Sequence, residues 1–114
     1  MDTIAEKRLV ALYPAGHTAH VHLRVGRPMP DPDGDWGCEV AATGLRIWEG
    51  PKTFPGVDSW DALMSGVRFL HMMLSTEESR GVVFHWEDGR HPIRVDALFI
   101  LHDIIAASGE GDEA

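Results

Sequence analysis

Alternation of apolar and polar residues marks the first elements of the chain. Residues 17 to 25 alternate strictly, so Val21 and Leu23 lie on one face of a strand that repeats every two residues. The opposite, polar face comprises Thr18, His20, His22 and Arg24. Residues 5 to 13 alternate more weakly and are followed by the turn composition Pro14-Ala15-Gly16. The pattern predicts an antiparallel hairpin with one face in the core and the other in water.

Two further strands complete a predicted four-stranded meander. Alternation marks residues 36 to 42 as the third strand, and Thr43-Gly44 joins it to a fourth strand at residues 45 to 49. Residues 26 to 32 and 50 to 57 are rich in proline and glycine. Because proline removes a ladder donor and glycine weakens a strand, both segments are predicted to be loops.

A long amphipathic helix is predicted over residues 59 to 75, where apolar residues recur at steps of three and four. Asp58 occupies the N-cap position and Asp61 the third helical position, an arrangement typical of a helix start. The expected core stripe runs Trp60, Leu63, Met64, Val67, Leu70 and Leu74, widened by Ala62, Gly66, Phe69 and Met73. We therefore expect Trp60 in the core and the helix packed across the sheet.

The remaining chain predicts a second hairpin and a last helix. Residues 81 to 95 form the hairpin around Asp88-Gly89, with Pro92 favouring an edge strand. Asp96 is expected to cap a helix from residue 97 to 107 that is apolar nearly all round, which favours burial or an interface between copies. The fold class is therefore α+β, with one domain over residues 1 to 107 and an acidic flexible tail at residues 108 to 114.

Charge restricts the classes of partner. The chain has 10 Lys and Arg against 18 Asp and Glu, a formal net charge of −8. At long range this charge repels nucleic acid and anionic membranes, so neither is expected as a partner, and a basic protein is favoured. The single cysteine excludes an internal disulfide, and no secretory signal or membrane-length apolar run is present. Cytoplasmic localisation is the expectation.

The stretch DPDGDWGCE, residues 31 to 39, is the most motif-like in the chain. Asp31, Asp33 and Asp35 occupy the first, third and fifth positions of an EF-hand-like calcium loop. The sixth and twelfth positions hold Trp36 and Ala42, whereas such a loop needs glycine and a bidentate glutamate there. We therefore interpret the stretch as a turn whose aspartates are surface charge available to a cationic partner.

Histidines offer the alternative chemistry. His20 and His22 point the same way on one strand and form the best candidate metal pair among seven histidines. No local spacing supplies a third ligand, so no cofactor is predicted. If distant residues completed the site, the domain would be a metal-dependent or small-molecule enzyme that uses this strand face. Cys38 alternates with core positions, where a thiol is inert.

Two tryptophans are candidate partner contacts. Trp48-Glu49 and Trp86-Glu87-Asp88 each place an aromatic ring beside carboxylates, near glycine-rich turns. Aromatic anchors with an acidic rim suit a basic protein surface. Together with Asp31, Asp33 and Asp35, the candidate contacts are Trp48, Glu49, Trp86 and Asp88.

Three short segments follow one another along the chain: Asp35-Trp36-Gly37-Cys38, Gly44-Leu45, and the helix start Gly56-Val57-Asp58-Ser59 with Ala62-Leu63. In this pattern, D-W-x-C followed by G-L and G-x-D-S-x-x-A-L, the chain resembles an uncharacterised family of small bacterial α+β domains. The resemblance covers residues 5 to 75. It implies a fold and a bacterial origin, and it carries over no catalytic residue.

Three functions follow as hypotheses. The first is a non-catalytic binding protein of the immunity or antitoxin kind, in which the acidic domain occludes a basic protein partner. The second is the enzyme that uses His20 and His22. The third is a homodimeric structural domain whose interface is the apolar last helix.

Overall fold

The computed structural model describes residues 1–45 and 50–99 of the chain. These residues form one antiparallel sheet, one long helix and one short helix. In chain order the elements are β1 (Thr3–Leu12), β2 (Thr18–Gly26), β3 (Met29–Pro30), β4 (Trp36–Thr43), β5 (Lys52–Gly56), α1 (Ser59–Ser79), β6 (Val83–Trp86), β7 (Pro92–Ile93) and α2 (Val95–Leu98). The α+β class predicted from the sequence is confirmed.

The sheet is six strands wide. Val40 of β4 pairs with Val25 of β2 on one edge and with Lys52 of β5 on the other. Trp36 pairs with Pro30 of β3 and with Gly56 of β5. Strand β3 therefore lies on the same side of β4 as β2, further along β4. The order is therefore β5, β4, β2 with β3, β1, β6 and β7, all antiparallel.

A four-stranded meander exists, but its fourth strand is not the predicted one. Residues 52 to 56, predicted to be loop, form β5, and the ladder tolerates Pro55 because β5 is an edge strand. Met29 and Pro30, also predicted to be loop, add the two-residue strand β3 at a second edge position. Of the predicted strand at residues 45 to 49, residues 46 to 49 lie outside the described residues.

Helix α1 packs over β4 and β5 through its small residues. Its buried positions are Ala62, Gly66, Leu70, Leu74 and Glu77. A Cβ built on Gly66 would lie 2.8 Å from Cγ1 of Val40, and one on Gly56 would lie 2.2 Å from the backbone N of Ala62. Glycine at these two positions lets the helix and its leading strand approach closely. The helix ends at Ser79, four residues beyond the predicted end, and is followed by Gly81, whose φ of 96° reverses the chain direction.

The last helix differs from its prediction. Helix α2 begins at Val95, with Arg94 as N-cap, so Asp96 lies inside the first turn instead of capping it. Glu78 of α1 supplies the missing cap, because its Oε2 accepts the backbone N–H of Val95 at 2.9 Å. Nε2 of His71 lies 3.0 Å from Oδ1 of Asp96 and joins the two helices a second time. The remainder of the predicted helix, residues 100 to 107, and the tail at 108 to 114 lie outside the described residues.

One helix does not cover the whole sheet. Six strands about 4.8 Å apart make a face roughly 24 Å wide, whereas a helix with its side chains is about 10 Å across. Helix α1 packs mainly on β4 and β5. Leu9 of β1 and Phe84 of β6 are buried in the same core, but among the described residues the start of β1, at Ala5 and Lys7, borders an open groove on this face. The opposite face of the sheet carries the polar residues of β2, as predicted, with His20 exposed and His22 half-buried.

Candidate functional site

The turn that joins β3 to β4 is built by Asp31. The backbone N–H of Asp33 donates to Oδ1 of Asp31 at 2.9 Å, and the N–H of Gly34 donates to the Asp31 carbonyl at 3.2 Å. Gly34 has a φ of 93°, a left-handed conformation that glycine adopts without strain. The stretch is thus a turn, as interpreted from the sequence. Asp31 holds the turn, whereas Asp33 and Asp35 make no side-chain bond to another described residue.

The junction between β5 and α1 is fixed by two aspartates. The backbone N–H of Asp61 donates to Oδ1 of Asp58 at 2.7 Å, and the backbone N–H of Val57 donates to Oδ2 of Asp61 at 3.1 Å. The first bond satisfies a donor that a helix start leaves unpaired, and the second ties the residue before the N-cap to the first turn of the helix. The predicted capping roles of Asp58 and Asp61 are therefore confirmed.

These two acidic segments lie side by side. Trp36 pairs with Gly56, so the next residues outward, Asp35 and Val57, are neighbours at the same end of β4 and β5. Paired strand residues are about 5 Å apart at Cα, which brings the turn and the helix start within reach of one ligand. We call this surface the acidic end and define it as Asp31, Asp33, Asp35, Val57, Asp58, Trp60 and Asp61.

Two large apolar side chains are exposed at the acidic end. Val57 is 76% exposed and Trp60 is 71% exposed, the highest values among the large apolar residues of the described chain. The prediction that Trp60 belongs to the core is wrong. At about 100° per residue Trp60 points about 200° away from Ala62, and it lies in the first turn, beyond the apolar cover of the sheet. The regular four-residue spacing of Ala62, Gly66, Leu70 and Leu74 is the sequence feature that identifies the buried stripe, and Trp60 is not part of it.

The turn after β6 holds the other described candidates, Trp86 and Asp88. Trp86 is 38% exposed, and the Nζ of Lys7 lies 3.8 Å from the centroid of its ring. Asp88 accepts the backbone N–H of Arg90 at 2.8 Å, and its other oxygen pairs with Nδ1 of His91. The Arg90 N–H and then the His91 ring lower the pKa of the Asp88 carboxyl. The Asp88 carboxylate thus stabilises its own turn, and the Trp86 ring contacts the Lys7 ammonium.

The other predicted contacts are separated from these. Trp48 and Glu49 lie outside the described residues. Along the sheet, β1 and β2 separate the Trp86 turn from the strands that carry the acidic end. The pairing of β4 with β5 therefore places the aspartate turn at the same end of the sheet as Val57 and the start of α1, away from Trp86 and Asp88.

The histidine pair lies on the polar face of the sheet. Nε2 of His22 is 3.3 Å from Oε1 of Glu6 on the neighbouring strand, while His20 is opposite Val10. Within residues 1–45 and 50–99, no three His, Cys, Asp or Glu side chains are grouped so that they could hold a metal ion. His20 and His22 therefore have no described third ligand with which to form a catalytic metal centre.

Cys38 is fully buried, as expected from its alternation with core residues. Its Sγ donates to the carbonyl of Gly26 at 3.4 Å. Burial raises the pKa of the thiol, which disfavours the thiolate that a nucleophile requires. Cys38 is therefore a packing residue between β4 and Gly66 of the helix.

In the part of the chain that the structure describes, no helix has the length and apolar character needed to cross a membrane. Neither the curated proteins nor the solved structures compared with the chain gave a match. One family model does match, over residues 6–94, which includes every described strand after the start of β1 and the whole of α1. By that match the chain belongs to the family described as Domain of unknown function (DUF6968).

Proposed function

We propose that the domain is a non-catalytic binding module whose acidic end takes a basic segment of a protein partner. The observation that carries the proposal is Trp60, which is 71% exposed in the first turn of α1, at the end of the sheet that also carries the aspartate turn. A large aromatic side chain in water has an unfavourable hydration free energy that a partner can relieve. Tryptophan is also among the residues most often found at the energetic centre of interfaces.

The charges around Trp60 define the chemistry of the partner. Asp33 and Asp35 are exposed and form no ion pair with another described residue, so both carboxylates are free for a Lys or Arg side chain. Asp58 and Asp61 each use one oxygen for a backbone N–H and keep the other for a ligand. An arginine fits this surface well, because its planar guanidinium stacks on an indole and bonds carboxylates in pairs.

The net charge adds long-range attraction for such a partner. Part of the negative charge is concentrated after Arg94, where no Lys or Arg follows. Four carboxylates of that segment belong to Asp103, Glu110, Asp112 and Glu113. The acidic end and these carboxylates favour the approach of a cationic surface and raise the association rate at low salt. The steering weakens as added salt shortens the screening length, which is about 10 Å at 0.1 M.

Within this proposal, an immunity or antitoxin role is the most specific form. An exposed aromatic anchor and carboxylates available for ion pairs suit an acidic domain that occludes a basic toxin. The D-W-x-C segment, Asp35 to Cys38, supports the surface directly: Asp35 belongs to the acidic end, while Trp36 and Cys38 face the packed side of the sheet. A bacterial origin is part of the same proposal.

A random peptide library displayed on phage tests the proposal without a known partner. Panning against the immobilised protein at low salt should enrich peptides that place Lys or Arg next to an aromatic or aliphatic residue. The test variant is Trp60→Ala, which removes the anchor. Its matched control is Met72→Ala, which shortens another exposed apolar side chain of the same helix, 52% exposed. The Met72 variant should recover the same peptides and the Trp60 variant should not. Enrichment without cationic residues, or equal recovery by the Trp60 variant, would overturn the proposal.

A further inference from the structure

A groove of about 330 Å³ opens on the part of the sheet that α1 leaves uncovered. Leu23 and Val25 of β2 line it from the sheet, and Val67 and Leu70 of α1 line it from the helix. Phe99, whose ring centroid lies 4.9 Å from that of His71 in α1, and Trp86 of β6 complete the lining. The volume falls at the lower end of the range for small-molecule sites, about 300 to 1,000 Å³, and such sites are mostly apolar with a few placed polar groups.

Lys7 is the polar group at the rim of this groove. The register pairs Lys7 with Leu23, and Leu9, two residues further on, is 1% exposed, so Lys7 lies on the core-facing side of β1. Its Nζ rests over the Trp86 ring at 3.8 Å from the centroid. The ring thus holds the ammonium group at one place on the groove rim.

No described carboxylate forms an ion pair with Lys7, although Glu87 and Asp88 line a neighbouring depression together with it. Glu6 also lines the groove, but its Oε1 lies 3.3 Å from Nε2 of His22 and 3.8 Å from Nη2 of Arg8, both on the opposite face of the sheet. Among the described lining residues, Lys7 is therefore a cation without an anion, at the edge of an apolar groove. An ammonium group in that position attracts an anion whose remaining surface is apolar.

We propose that this groove binds a small amphipathic anion, a carboxylate with an aliphatic or aryl body. The carboxylate pairs with the Lys7 ammonium at the rim, and the body lies along Leu23, Val25 and Val67. The site is separate from the acidic end, which attracts cations, so the two proposals concern different surfaces and ligands of opposite charge.

Three probes that share an unbranched eight-carbon skeleton but differ in the charge of the head group test the proposal: octanoate, 1-octanol and octylammonium. Calorimetric titration of the full chain should give saturable binding of octanoate, weaker binding of the alcohol and none of the ammonium compound. Methyl resonances of Leu23 and Val67 should shift with octanoate, whereas those of the distant Val57 should not. Because this series uses the unaltered protein, it does not depend on the folding of a variant.

Charge removal at Lys7 gives the second arm. Lys7→Met keeps the aliphatic stem and should weaken octanoate binding about tenfold, the effect of a lost charge-assisted bond. Lys52→Met removes an exposed lysine from β5, at the other side of the sheet, and should leave the affinity unchanged. Equal effects of the two variants, or equal binding of all three probes, would overturn the proposal. Unshifted Leu23 and Val67 resonances would also overturn it and would indicate that the groove is covered by chain beyond Phe99 or by a second copy.

Discussion

Gly66 of α1 packs directly onto Val40 of β4, so closely that a Cβ on Gly66 would lie 2.8 Å from Cγ1 of the valine. The same Cβ would lie 3.4 Å from Sγ of Cys38. Both neighbours are completely buried, and valine is stiff at χ1, so neither can move aside easily. This contact sets the distance between helix and sheet.

Gly66→Ala is therefore expected to destabilise the domain. Overpacking costs about 1 to 3 kcal/mol, while the gain in helix propensity is about 1 kcal/mol, so we expect a net loss of about 1 kcal/mol. Urea unfolding followed by tryptophan fluorescence measures the change. The control is Ser65→Ala at the neighbouring position, where the propensity gain is smaller, about 0.5 kcal/mol, and should appear as a small stabilisation. A Gly66 variant more stable than wild type would contradict the close packing.

Asp58→Ala is expected to lower the free energy of unfolding by about 1 kcal/mol, because the N–H of Asp61 loses its acceptor. Asp58→Asn keeps an acceptor oxygen and should lose much less. Asp33→Ala is the control, since Asp33 is an exposed aspartate whose side chain bonds no described residue. Equal stability of the Asp58 and Asp33 alanine variants in urea would show that the cap is unimportant.

The Asp88 turn predicts a pH dependence with a definite sign. The pKa of Asp88 is lowered in the folded state, first by the Arg90 N–H and then by His91. The stabilisation is therefore complete above the unfolded pKa of about 4 and is lost as the pH falls through the lower folded pKa. Carbon NMR titration of the aspartate carboxyls should find Asp88 titrating below that value. An Asp88→Asn variant with the wild-type fall in stability below pH ~4 would contradict the assignment.

The Cys38 thiol is predicted to be unreactive in the native protein. Because burial raises its pKa and removes it from solvent, an exposed-thiol reagent such as dithionitrobenzoate should react only when the domain opens. The reaction rate in buffer, compared with the rate in denaturing urea, measures this protection. Fast reaction of the folded protein would contradict the burial of Cys38 and would be consistent with a nucleophilic thiol.

The fold class, the hairpins and the helix start could be predicted from the sequence because local rules determine them. Strict alternation specified the faces of β2, and Asp58 specified the first residue of α1. Strand β5 could not be predicted, because Pro55 and Gly56 argue against a strand unless its position at the sheet edge is known. The pairing of β6 with β1 is also long-range and has no local signal.

The candidate site was predictable only in part. The aspartates of the turn are visible in the sequence, but their position beside Val57 depends on the pairing of Trp36 with Gly56. The spacing of Trp60 to Leu63 and Met64 fits a helix stripe, and that pattern alone predicts a core position for Trp60. The actual stripe runs through Ala62, Gly66, Leu70 and Leu74, because the closest approach of α1 to β4 is at Gly66, where a side chain would meet Val40.

The role of Trp60 can be measured directly with a peptide enriched by panning. Its dissociation constant, determined by fluorescence anisotropy, should rise about thirtyfold in Trp60→Ala, as expected for an aromatic hot spot worth about 2 kcal/mol. The Asp33→Asn, Asp35→Asn double variant should bind more weakly and with a smaller dependence on salt. Met72→Ala should bind like wild type. Equal dissociation constants for the Trp60 and Met72 variants would contradict the account, because the acidic end would then have no aromatic anchor.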